Sequence, residues 1–153
     1  MLFYKRKAFT MIELVFVIVV LGILAAIAIP KFAATRDDAQ IAKGRSDVAA
    51  IRAAIVSERQ GRLMQGQSNY ISKLHHATDV LFDNNGTATS VLLQYGIVTQ
   101  NETNGHWDDS ATASGTNWTY VYRVMNADNT FTYNPANGTF SCTNGTYCAD
   151  LTN

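Results

Sequence analysis

Residues 9–29 read FTMIELVFVIVVLGILAAIAI and carry one charge, Glu13. A helix needs about 20 apolar residues to cross a bilayer core, so this stretch is long enough to span one. Lys5, Arg6 and Lys7 stand just before it and Pro30 just after it. Basic residues stay on the cytoplasmic side of a span, which places the N-terminus inside and leads us to expect residues 31–153 to be exported. A chain of 153 residues has room for this segment and one modest domain. The acid is the anomaly. A carboxylate at mid-bilayer depth costs roughly 2.5–3.5 kcal/mol on insertion scales, and intramembrane acids as a rule face a partner.

Two fates of the segment are open at this point. As an ordinary secretory signal it is cut after the small-x-small triplet Ala26-Ile27-Ala28, releasing a soluble protein that begins near Ile29. Against this stand the length of the apolar run, the presence of Glu13, and a helical pattern that resumes directly after residue 30. In residues 31–64, Ile41, Val48, Ile51 and Ile55 recur at spacings of seven, three and four, with Ala34 extending the line backward. That pattern lays one apolar stripe along a helix face. Arg36, Asp37, Lys43, Arg45, Asp47, Arg52 and Glu58 read as its remaining surface, and Gly61 and Gly66 as its terminators. One helix is therefore expected over about 10–62, roughly 80 Å long. Its second half can cover a sheet. Its first half finds nothing in its own chain to pack on, so it meets either lipid or copies of itself.

Beyond residue 65 the composition turns to Asn, Thr, Gly and Ser with interspersed aromatics. Residues 70–82 read as a short helix or irregular segment, Asn84-Asn85-Gly86 as a turn, 88–98 as a short helix or strand, and 99–116 as a loop. Residues 117–125 alternate Trp118, Tyr120, Tyr122 and Val124 against Thr119, Val121 and Arg123, which predicts a strand. Turns at Asn126-Ala127-Asp128-Asn129 and Pro135-Ala136-Asn137-Gly138 frame two more strands, over 130–133 and 139–142. The reading is an α+β fold: a long N-terminal helix packed on a small antiparallel sheet of three strands, with a fourth not demonstrable.

Charge and composition exclude several functions. From residue 74 onward Arg123 is the only Lys or Arg, against Asp79, Asp83, Glu102, Asp108, Asp109, Asp128 and Asp150. No intrinsic nucleic-acid binding is expected, since that needs several cations on phosphates. His75, His76 and His106 lack metal-ligand spacing and read as exposed or capping residues. Neither a nucleophile elbow, a phosphate loop nor a paired-acid arrangement occurs, so no enzyme and no cofactor is expected. Asp108, Asp109, Asp128 and Asp150 raise a calcium question, but no calcium-loop motif accompanies them. Cys142 and Cys148 lie where export would make a disulfide the default. It would close a short ring worth roughly 2 kcal/mol.

The segment KRKAFTMIELVFVIVVLGILAAIAIPKF, residues 5–32, resembles the N-terminus of type IV pilins and type II secretion pseudopilins, the class III signal peptide family. The resemblance is carried by the basic leader, Phe9, Thr10, Ile12-Glu13-Leu14, Gly22-Ile23-Leu24 and Pro30-Lys31-Phe32. It implies a cut by a prepilin peptidase between Ala8 and Phe9, methylation of the new amine on Phe9, and retention of the apolar segment. The family usually has Gly before the cut; Ala8 stands there in this chain, and cleavage is expected to be slower. The implied organisation is a leader over 1–8, a transmembrane and filament-core helix over 9–29, its amphipathic continuation over 30–64, and an exported head over 65–153. Glu13 would pair with the Phe9 amine of a neighbour, and Gly22 and Pro30 would bracket a stretch able to unwind in a filament. The implied partners are further copies in a helical filament, the prepilin peptidase, an inner-membrane platform protein, an assembly ATPase without direct contact, and other, minor pilins. The location would be the bacterial inner membrane. The rival reading is a membrane-tethered or secreted binding module with an ordinary signal or anchor.

Overall fold

A computed structural model describes residues 9–76, 79–83 and 92–153, with the helical backbone alone for residues 29–34. Ala8 and the Asn84-Asn85-Gly86 turn lie outside the described residues. Helix α1, Met11–Met64, includes Gly22 and Pro30. It ends at Gly66 rather than Gly61. Gly66 adopts φ +77°, its N–H donates to the Leu63 carbonyl, and the Gln67 N–H donates to the Arg62 carbonyl at 2.9 Å. This is the paired-bond cap that a left-handed glycine permits. The chain forms two compact units, Met1–Arg36 and Asp37–Asn153.

In the second unit the expected stripe is the helix side of the core. Val48, Ile51 and Ile55 are buried, and Ile41 packs against them. The sheet is larger than the three strands expected. It holds β3 (His106–Trp107), β4 (Thr112–Ser114), β5 (Asn117–Val124), β6 (Ala127–Asn134) and β7 (Thr139–Asn144). The antiparallel order is β3-β5-β6-β7, with β4 also pairing β5. Two further short strands, β1 (Val80–Leu81) and β2 (Ile97–Val98), pair separately. A five-residue helix α2, Cys148–Thr152, follows the sheet.

The alternation in β5 faces the core as expected, with Tyr120, Tyr122 and Val124 fully buried. Three sequence expectations are corrected. Residues 99–116 are not a loop: β3 and β4 add to β5, and Trp107 is fully buried. The β5–β6 turn is Met125-Asn126, not the four amide-rich residues from Asn126. Val124 pairs with Ala127, and φ values of +48° and +62° give the two-residue hairpin whose twist matches its strands. The charges along α1 are not a free surface. Lys43 Nζ donates to the Gly105 carbonyl at 2.6 Å, Arg45 to the Asp150 carbonyl at 2.9 and 2.7 Å, and Arg52 Nε to the Phe140 carbonyl at 3.0 Å. Asp47 accepts from Trp107 Nε1 at 3.1 Å. The three cations fasten the helix to the main chain of the head, and Asp47 to the Trp107 side chain.

His75 is also corrected: it is 4% exposed, not a surface residue. Tyr120 Oη accepts the Leu74 N–H at 3.0 Å and lies 2.9 Å from His75 Nδ1. The imidazole is held neutral at neutral pH. Burial first, then the Lys73 cation, lowers its pKa to about 4. The sign follows directly. As pH falls below the ordinary 6.5 the unfolded chain takes up the proton before the folded one, so stability is intact above that value and lost towards pH 4. The loss attributable to His75 amounts to about 3 kcal/mol. Asp47, raised chiefly by burial, works in the opposite sense: its contribution is lost as pH rises through its folded pKa. Urea unfolding in detergent at pH 7 and pH 4.5 should therefore show a fall in stability that the His75→Gln variant lacks. An equal fall in both proteins would remove His75 from the account.

Candidate assembly site

The first unit is defined by what it does not bury. Met11–Ala28 is long and apolar enough to cross a membrane, and none of it is buried within the chain. Phe9 is 88% exposed, Met11 83% and Ile12 75%, and every large apolar side chain from there to Ile27 is exposed. Fully burying one such side chain is worth about 1.5–3 kcal/mol. Summed over this rod, the cost of leaving it in water exceeds the roughly 5–15 kcal/mol by which a whole domain is stable. Lipid or other protein must cover it.

The acid at its start is locally satisfied. Glu13 Oε2 accepts from the Thr10 N–H and from the Thr10 hydroxyl, both at 2.8 Å, while the Glu13 N–H donates to Thr10 Oγ1 at 3.3 Å. This is a capping box: Thr10 caps α1, and the acid three residues on reaches back to the cap. It satisfies two donors left open at a helix start, and the carboxylate complements the positive end of the helix. Thr-x-x-Glu is visible in the sequence. The sequence expectation is a partner on another chain; the structure adds this one within the chain. Both bonds fall on one oxygen, which leaves Oε1 outside the box.

The remaining site residues stand apart. Gly22 is exposed, and a Cβ added there would meet nothing within 4 Å. Pro30 is helical in backbone. Cys142 and Cys148 form a disulfide with Cα atoms 5.4 Å apart, joining β7 to α2 in the second unit. Among the described residues, no group of three His, Cys, Asp or Glu is placed to hold a metal ion.

The second unit presents a surface that sequence reading passed over. On α1, Ala49, Ala50, Ala53, Val56, Ser57, Gln60, Leu63 and Met64 are all exposed and none is charged. The charges among them are drawn aside: Arg52 to Phe140, Arg59 over the Tyr70 ring at 4.6 Å, and Arg62 to Glu58 at 3.3 Å. A solvated helix face is ordinarily charged or strongly polar. The signal is the spacing 49, 53, 56, 60, 63, which repeats four and three along a flank of the helix beside the core stripe.

Residues 4–29 match the family model for the prokaryotic N-terminal methylation motif. The chain is 48% identical over 50 residues to the type IV narrow pilus major component PilA5 of Thermus thermophilus, covering 33% of this chain and 43% of that protein. It is 39% identical over 51 residues to the type II secretion system core protein G of Pseudomonas aeruginosa, covering 33% of this chain and 36% of that protein. The chain thus spans less than half the length of either curated relative. No solved structure matches it.

Proposed function

We infer that this chain, whose N-terminal segment is that of the type IV pilin and type II secretion pseudopilin family, is a structural subunit of such a filament. In this reading it waits in the inner membrane with residues 9–29 in lipid. A prepilin peptidase cuts between Ala8 and Phe9, and the new Phe9 amine is methylated. The apolar rod then leaves lipid for the rods of other copies. Glu13 exchanges part of its capping role for the amine of a neighbour, an exchange allowed by Oε1, which neither bond from Thr10 reaches. The uncharged face of α1 over residues 49–64 extends the contact with other subunits. A platform protein and minor pilins complete the assembly, and the head faces the periplasm.

The single observation that carries the reading is the apolar rod with its one acid, none of it buried within the chain, lying within the methylation motif. A signal sequence is also an apolar helix near the N-terminus, and the fate of the rod after processing separates the two. Protein recovered from membranes is expected to begin at methylated Phe9, read by intact mass and N-terminal sequencing. A start near Ile29 rejects the filament and leaves a secreted binding module.

A further inference from the structure

Helix α2 has five residues, and helices below about 12 residues are marginal in water on their own. Yet its Leu151 is fully buried. Three fixings hold it. Leu151 lies against Gly44 of α1, where an added Cβ would stand 2.6 Å from Leu151 Cδ2 and would also strike the Tyr122 ring. The notch exists because residue 44 has no side chain. Arg45 grips the Asp150 carbonyl with two hydrogen bonds. The disulfide ties Cys148, the first residue of α2, back to Cys142 of β7. The connecting loop is itself positioned by Asn129, whose Oδ1 accepts the Tyr147 N–H at 2.8 Å.

We propose that the disulfide is a redox latch on α2. With Cys142 and Cys148 joined, Leu151 fills the Gly44 notch. With them reduced, α2 leaves and uncovers Gly44 and the edge of Tyr122, while the sheet stays folded. In the chain-entropy model a ring of about seven residues biases the docked state by roughly 50-fold. Without the ring, docking rests on one apolar side chain and one exposed arginine, against the entropy of ordering the segment. The sheet has a separate source of cohesion. Phe82, Trp107, Tyr120, Phe131 and Phe140 pack ring to ring with centroids 5.0–6.2 Å apart. Closing the latch turns two thiols into one disulfide and passes two protons and two electrons to a partner disulfide, itself reduced to two thiols. The timing rests on export alone, which the filament and secreted-module readings share: thiols stay reduced before export, so a docked α2 marks a head that has reached the oxidising side.

Hydrogen–deuterium exchange on the full chain in detergent, oxidised and after reduction by a phosphine, tests this. The Leu151 and Asn153 amides, bonded to the Tyr147 and Ala149 carbonyls, should exchange roughly 50-fold faster once the ring is open, with amides of β5 and β6 unchanged. The Cys142→Ser/Cys148→Ser double variant should do the same without reductant. Leu151→Ala, oxidised, should also speed exchange in α2. Unchanged α2 protection on reduction overturns the latch, as does parallel loss across β5 and β6. Unchanged protection in Leu151→Ala overturns the notch. A chain beginning near Ile29 would overturn the proposed function and leave both these results and the timing standing.

Discussion

Glu13→Ala should be inserted and cut normally yet form no filaments. Removing one member of a buried ion pair costs about 3–5 kcal/mol, because the other charge is left without compensation. At a subunit contact that is more than 100-fold in affinity. The capping box complicates the interpretation, since alanine also removes the bonds from Glu13 Oε2 to Thr10. Two further variants separate the effects. Glu13→Gln keeps the residue type that completes a capping box but cannot neutralise a cation; it should also fail to assemble. Thr10→Val removes the hydroxyl and leaves the acid, and should weaken the helix start by about 1 kcal/mol while filaments still form. Electron microscopy of sheared cell-surface material, with mass spectrometry of the membrane fraction for processing, reads all three. Normal filaments from Glu13→Ala would end the pairing argument, and normal filaments from Glu13→Gln alone would reduce Glu13 to a cap.

Trp107→Ala should destabilise the head more than any other single change proposed here. The indole is fully buried, with centroids 5.0 Å from Phe82, 5.1 Å from Tyr122 and 5.3 Å from Phe131. Truncating a buried tryptophan costs about 3–5 kcal/mol. The variant also leaves the partly buried Asp47 carboxylate without its donor, adding to the loss. Thermal unfolding in detergent should shift by roughly 10 °C or more. Trp107→Phe retains most of the ring contacts and loses only the Nε1 bond, so its cost should be about 1–3 kcal/mol. A small shift for alanine would mean that β3 is peripheral to the core.

That residue also marks where the sequence became hard to read. The helix stripe at Val48, Ile51 and Ile55 and the alternation of β5 were plain because each repeats over several periods. His106-Trp107 is a two-residue strand, too short for any period, and it is recruited by the edge of β5 rather than by its own pattern. The β5–β6 turn was misplaced because amide-rich residues follow it, whereas the left-handed backbone falls on Met125 and Asn126, and methionine gives no turn signal. The short α2 has one buried residue, Leu151, and so no periodicity. At the candidate site, the apolar rod and its acid were legible from composition. The intrachain bond from Thr10 is equally present in the sequence as Thr-x-x-Glu, but an acid in an apolar span points first to a partner on another chain.

The outermost strand β7 has a further consequence. Arg52 already occupies the Phe140 carbonyl along its length, and the bridge from Cys142 brings α2 against the same strand. A sheet rim with bare amides and carbonyls invites stray strands to zipper onto it. Here that rim is stoppered. Strand addition between crowded heads is therefore hindered at that rim, and the sheet's other margin, formed by β3 and β4, is the side left for such pairing.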